Sequence, residues 1–280
     1  MSEAGEDKTI WWGDFTFAEE QAGCWHVGPS TLWIYRFPRE WRVVHVEKGE
    51  VLSEASTVRL PVPEDEMKPS LVDVEPEATV RRFGFKQTDE RLSVLPALAD
   101  RPVVVRPESP LYVSPDEATA LFVSTPLWLR LEAGTPPRLL EEIPLYRPSD
   151  TWFGPSTTEG ELCYATRTAG RLHLETLPVL RYRAITRILI RNRAHDAMLV
   201  ERVQLPVQYL SLFQASDGLL WTQAVTLERG RDGGLAGLHI EDRPPAEAEG
   251  AVLVRDPRQA SRSNLIGRTF STLFQKIKEA

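Results

Sequence analysis

Three groups of residues in this chain have types and spacings that could do chemistry. Trp152, Glu161, Cys163 and Tyr164, joined from further along by Trp221, offer a carboxylate, a thiol and aromatic rings. Converging in a concavity, they would make a small-ligand or enzymatic pocket. Arg181, Arg183, Arg187, Arg191 and Arg193 all have odd numbers, so one extended strand would carry them on a single face. Five guanidinium groups so arranged could grip phosphates or carboxylates bidentately, or could pair with glutamates such as Glu201 or Glu175 on adjacent strands. The third group, Ile266, Phe270, Leu273, Phe274 and Ile277, falls within an arc of about 100° on a helical wheel and could dock on a partner, a membrane or its own domain.

Other chemistries lack their residues. No phosphate loop ends in Gly-Lys-Ser/Thr, no Gly-x-Ser-x-Gly elbow occurs, and Gly230, Gly233, Gly234 and Gly237 read as a hairpin around Asp232-Gly233. His26, His45, His173, His195 and His239 are isolated, no two at ligand spacing, and with only two cysteines, Cys24 and Cys163, far apart in sequence, a four-cysteine zinc site and a disulfide framework are excluded. Neither catalytic residues, a metal nor a cofactor is expected. Leu162 beside Cys163 suggests a buried, inert thiol.

The elements that must position these residues are mainly strands. The odd positions from Val203 to Tyr209 are apolar, while Gln204 and Gln208 face the other way. The same period runs from Leu219 to Leu227, broken at Gln223, and from Ala120 to Leu131. Asp217-Gly218 and Asp232-Gly233 supply hairpin turns, and Pro126 and Pro206 demand an edge or a bulge. The expected fold is an antiparallel β-sandwich-like architecture in two β domains, closed by a C-terminal amphipathic α-helix. Its parts are a Trp-rich domain over 1–135, a Pro-rich connection over 136–150, a second β domain over 151–262 and a basic helix over 263–280. Trp11, Trp12, Trp25, Trp33 and Trp41 crowd the first domain, as core residues or as a stacking platform. Trp12-Gly13 with Cys24-Trp25 is echoed by Trp152-Phe153-Gly154 with Cys163-Tyr164, although little else aligns.

At 280 residues, with 42% apolar and 26% charged, the chain can bury a large core without metal or disulfide staples. The net charge of −7 disfavours nucleic acid, which would need the arginine face alone. Charge reverses at the end: Arg255 to Ala280 carries six basic and two acidic residues, net +4 against −11 for the rest. No signal peptide or transmembrane run is present in the sequence, so a cytoplasmic protein is expected, at most peripheral to the inner membrane.

Asp150-Thr151-Trp152-Phe153-Gly154 followed by Gly160-Glu161-Leu162-Cys163-Tyr164-Ala165 resembles the core of a prokaryotic family, domain of unknown function 432. Leu205-Pro206-Val207, Tyr209-Leu210-Ser211-Leu212, Leu220-Trp221-Thr222, Leu111-Tyr112-Val113 with Pro115, and an early Trp-Gly extend the resemblance over most of the chain. It implies no activity, and as partner it implies at most a membrane protein such as a mechanosensitive channel. The residues together point to a non-enzymatic interaction or regulatory module that docks a protein partner or itself. The alternatives are a ligand pocket near Trp152 and Cys163, or sequence-independent nucleic-acid binding through the arginine face.

Overall fold

Period-two patterning produces strands throughout the computed structural model, which describes residues 10–48, 52–63, 78–154, 156 and 158–260. The described chain is mainly β, with single 3-10 turns at Leu174–Thr176 and Val207–Tyr209. The amphipathic helix expected over 263–280 lies outside the described residues. The described residues form two compact units, each discontinuous: those within 1–97 and 127–146, and those within 98–126 and 147–280.

The first unit holds two antiparallel sheets. One has the order Ser56–Arg59, Ala22–Val27, Ser30–Phe37, Glu40–Glu47, Thr79–Gly84; the other runs Gly13–Thr16, Arg91–Ala97, Trp128–Ala133, Arg138–Pro144. They meet through aromatic rings. Phe15 packs edge-on to Trp25 at 5.1 Å and Phe17 edge-on to Trp41 at 5.1 Å, geometries that set a ring's positive edge against a neighbour's negative face. Trp11, Trp25 and Trp41 are fully buried, and the Trp25 indole donates to the Trp11 carbonyl at 3.0 Å. These three rings build the core and form no platform.

The second unit is organised around the long strand Arg183–Asn192. It pairs antiparallel with Ala118–Pro126 on one side and parallel with Leu220–Thr222 and then Val225–Arg229 on the other. Leu235–Ile240 extends one end of this sheet; Leu212–Gln214 and Val252–Arg255 extend the other. A four-stranded sheet follows the order Ser149–Phe153, Glu161–Ala165, Val103–Val105, Val203–Leu205, and Leu111–Val113 pairs with Met198–Val200.

Three expected elements are corrected. The run Ala120 to Leu131 is two strands: Ala118–Pro126 belongs to the second unit and Trp128–Ala133 to the first, so the chain changes units at Leu127. The segment 136–150 is no connection, because Arg138–Pro144 pairs with Trp128–Ala133 and Ser149–Phe153 begins the next sheet. Val203 to Tyr209 stops being a strand at Pro206, which has no N–H for the ladder and is followed by the turn Val207–Tyr209. Gln223, the polar interruption, sits between Leu220–Thr222 and Val225–Arg229 and accepts the Ser211 N–H at 2.6 Å.

Candidate functional site

The block Asp150 to Ala165 folds as a hairpin whose two faces differ. Register sets Asp150 opposite Tyr164, Trp152 opposite Leu162 and Phe153 opposite Glu161. Since side chains alternate along a strand, Trp152, Leu162 and Tyr164 share one face while Phe153, Glu161 and Cys163 share the other. Trp152 and Leu162 are each 43% exposed, whereas Phe153 and Cys163 are sealed. The five residues expected to converge on one pocket are therefore separated. Trp221 belongs to a different core, packed with Phe122, Leu177, Ile185, Ala215 and Ala248.

On the buried face, Gln204 from Val203–Leu205 donates its amide to Glu161 Oε2 at 2.8 Å and to Cys163 Sγ at 3.3 Å. The thiol lies 3.5 Å from the Glu161 carbonyl, which accepts its proton. Burial pushes the Cys163 thiol up to about 11; the Glu161 carboxylate adds to the rise, while the Gln204 hydrogen bond and the Arg202 charge oppose it. Desolvation outweighs the stabilising contacts, so this sulfur stays protonated at neutral pH.

On the outward face the loop is hydrogen-bonded to the Trp152 ring. The Trp152 indole donates to the Ser156 carbonyl at 2.7 Å, and Ser156 Oγ accepts the Glu159 N–H at 3.0 Å. A Cβ on Gly160 would lie 2.7 Å from the Trp152 indole nitrogen, and one on Gly154 would lie 2.0 Å from the Glu159 carbonyl oxygen. Only glycines let the loop close this tightly around the ring. Polar groups rim the patch. Tyr164 donates to Asp100 at 3.0 Å, and Arg101 stacks over the Tyr164 ring at 5.3 Å while pairing with Asp150 at 3.4 Å. Burial, followed by the bond to Asp100, raises the Tyr164 pKa.

The arginines do not form an open stripe. Arg181 precedes the strand and is exposed, while Arg193 follows it and lies 3.7 Å from Glu228. Arg187 pairs with Glu247 at 3.3 Å, and Arg191 stands opposite Glu228 in register. The neutralising glutamates are thus Glu228 and Glu247, where the sequence suggested Glu201 or Glu175. Arg183 is only 2% exposed. Its guanidinium donates to Ser124 Oγ at 2.8 Å, to Thr168 Oγ1 at 2.7 Å and to the Ser124 carbonyl. Ile266, Phe270, Leu273, Phe274 and Ile277 lie outside the described residues.

A cleft of about 220 Å³ opens elsewhere in the second unit, floored by Leu121 and lined by Leu111, Leu172, His173 and the ion pair of Arg171 with Glu108. None of the expected pocket residues lines it. No helix among the described residues is long and apolar enough to cross a membrane, and no group of three or more potential metal-ligating side chains occurs among them.

One polar grouping escaped the sequence reading. Cys24 Sγ lies 3.4 Å from His26 Nε2, and His26 Nδ1 lies 3.1 Å from Thr31 Oγ1. The available signal was the two-residue spacing of Cys24 and His26, which puts them on one face once the segment is a strand.

A family model described as Protein of unknown function (DUF432) matches residues 11–275. No curated protein and no solved structure matches the chain.

Proposed function

Because the chain belongs to the DUF432 family, whose description carries no reaction, we propose its function from geometry: a non-enzymatic interaction module that docks a protein partner on the outward face of the Trp152 hairpin. The observation that carries this reading is a tryptophan 43% exposed whose indole is hydrogen-bonded to its own loop. An ordered aromatic anchor loses little entropy on binding, and residues that dominate interfaces are typically Trp, Tyr and Arg. Here Trp152 and Leu162 supply the apolar centre, and Tyr164 with Arg101 supplies the edge. Asp100 and Asp150 give that edge acidic groups, and Glu159 is exposed in the adjoining loop. The complementary partner is a protein segment presenting an apolar side chain beside a basic one. A membrane-associated protein is one source of such a segment.

The test is affinity capture from native lysate with four chains: wild type, Trp152→Ala, Leu162→Ser and a chain ending at Arg262. A stoichiometric partner retained by the truncated chain but lost from both point variants is the expected result. A partner indifferent to Trp152 and Leu162 but lost on truncation would transfer the docking role to the C-terminal segment. No partner with any chain would overturn the interaction reading.

A further inference from the structure

In the first unit, strand register sets a thiol beside a base, with an arginine at the position opposite the thiol. Cys24 and His26 lie on Ala22–Val27 with one residue between them, so both side chains leave the same face of the sheet. Thr31 stands opposite His26 on the neighbouring strand Ser30–Phe37, and Trp33 stands opposite Cys24. On the other side, Arg59 stands opposite Cys24. The Trp33 ring meets the imidazole edge-on, with centroids 6.5 Å apart.

The contacts permit proton transfer from the thiol to the imidazole. Thr31 Oγ1 at 3.1 Å can accept the Nδ1 proton of the imidazole, which leaves the Nε2 lone pair facing Cys24 Sγ at 3.4 Å. A thiol beside a positioned imidazole is the arrangement that generates a thiolate near neutral pH. Among the described residues, the titratable or charged groups that share this face are His26 on its own strand, Arg59 on one neighbour and Tyr35 on the other, with Arg42, Glu40 and Arg82 on the strands further out. Cys24 is only 5% exposed, so a small reagent reaches it more readily than a bulky one.

We propose that Cys24 is a peroxide-reactive thiol, with His26 as its base and Thr31 as the residue positioning that base. In the step, the sulfur attacks one oxygen of a small hydroperoxide, forming an S–O bond as the O–O bond breaks. Two electrons pass from sulfur to the peroxide. The proton taken by His26 Nε2 returns to the departing oxygen, so hydrogen peroxide yields water and a sulfenic acid on Cys24. Cys163, the other cysteine of the chain, is the internal control, since burial keeps its sulfur protonated.

The experiment treats the full chain with hydrogen peroxide across pH 5.5–9, removes the peroxide with catalase, denatures, alkylates the remaining thiols and follows each cysteine peptide by mass spectrometry. Cys24 is expected to oxidise about tenfold faster than Cys163 at neutral pH. Its inflection should fall below the ordinary thiol value of about 8.5. His26→Gln and Thr31→Val should each slow Cys24, and Thr31→Val should also move the inflection, which a purely structural role for Thr31 would not do. Equal rates for the two cysteines, or an unchanged Cys24 profile in both variants, would overturn the proposal. If neither variant folds, the wild-type profile decides, and an inflection at the ordinary thiol value would sink the idea.

Discussion

Each unit carries one buried cysteine on a strand, and the two differ in what their neighbours can do with a proton. Cys24 faces an imidazole whose second nitrogen is held by a hydroxyl. Cys163 faces an amide that can only donate to it, next to a carboxylate. Burial acts against the charged form in both places. The difference is that His26 can become a counter-ion by accepting the thiol proton, whereas Gln204 cannot. On the proposal made for Cys24, burial and the acid–base capacity of the adjacent side chain together decide whether a thiol is inert. The contrast extends to the cores, since the first unit seals stacked and edge-on aromatic rings, while the second seals a guanidinium within a set of hydroxyls.

The largest expected effect tests the aromatic side of this contrast. Trp25→Ala removes a fully buried ring that contacts Phe15 and Phe17. It should cost about 3–5 kcal/mol in urea unfolding. A loss below about 1 kcal/mol would mean that the ring is not the core element its burial indicates.

Next comes His45, which burial, together with the Arg81 charge, holds down at about 4. Ser30 donates its hydroxyl proton to the Leu145 carbonyl at 2.8 Å, so Ser30 Oγ accepts from His45 Nε2, and the lowered pKa leaves the ring neutral at neutral pH. As pH falls through about 6.5 the unfolded chain binds a proton that the native chain refuses. Stability should therefore be level above that pH, decline by up to roughly 3 kcal/mol as pH approaches 4, and level off below. Glu40 acts in a lower window. Arg82 and Arg42 hold its carboxyl at about 2, so its contribution is present above the ordinary carboxylate range and is lost as pH falls through that value. His45→Gln should abolish the upper decline and leave the lower one, as read by thermal unfolding at fixed ionic strength.

Arg183→Ala examines the polar core. Removing the guanidinium strips donors from Ser124, Thr166 and Thr168 within a closed interior. A loss of about 2–3 kcal/mol is expected, the cost of leaving buried acceptors unsatisfied. Arg183→Met keeps most of the volume, so a difference between the two variants separates packing from hydrogen bonding. An equal loss from both would assign the whole effect to the hydrogen bonds.

These cases also show what the sequence could convey. Strand content was legible because alternation survives wherever one face is buried: Arg187, Leu189 and Arg191 are half-exposed while Ile188, Ile190 and Asn192 are buried. Period two says nothing about which strand lies alongside. The arginine face therefore looked open until Glu228 and Glu247 were placed beside it. Nor does the period reveal a unit boundary, since Ala118–Pro126 and Trp128–Ala133 keep their apolar pattern across Leu127. Prolines misled in the opposite direction: those at 136, 137, 144 and 148 flank or end a paired strand without replacing it. The candidate pocket failed for a related reason. Glu161 and Cys163 share a parity that Trp152 and Tyr164 lack, and the hairpin register turns that parity into opposite faces. The Cys24–His26 pair is legible in the two-residue spacing, but only once the segment is known to be a strand.

The smallest effects on stability concern the Trp152 hairpin, where exposure and rigidity are distinct properties. Gly154→Ala must displace the Glu159 carbonyl and Gly160→Ala the Trp152 indole. Each should cost about 1–3 kcal/mol, the range for forcing atoms into occupied space. Trp152→Ala removes a half-exposed ring and should cost less than about 1 kcal/mol. On the interaction reading the order inverts for partner capture. Trp152→Ala abolishes it, while Gly160→Ala weakens it by loosening an anchor that is still present. Comparing urea midpoints with capture for the same three variants tests this inversion. If capture instead follows stability, with the glycine variants most affected, then the hairpin matters to the partner only through the integrity of its unit, and the exposed indole is not the anchor.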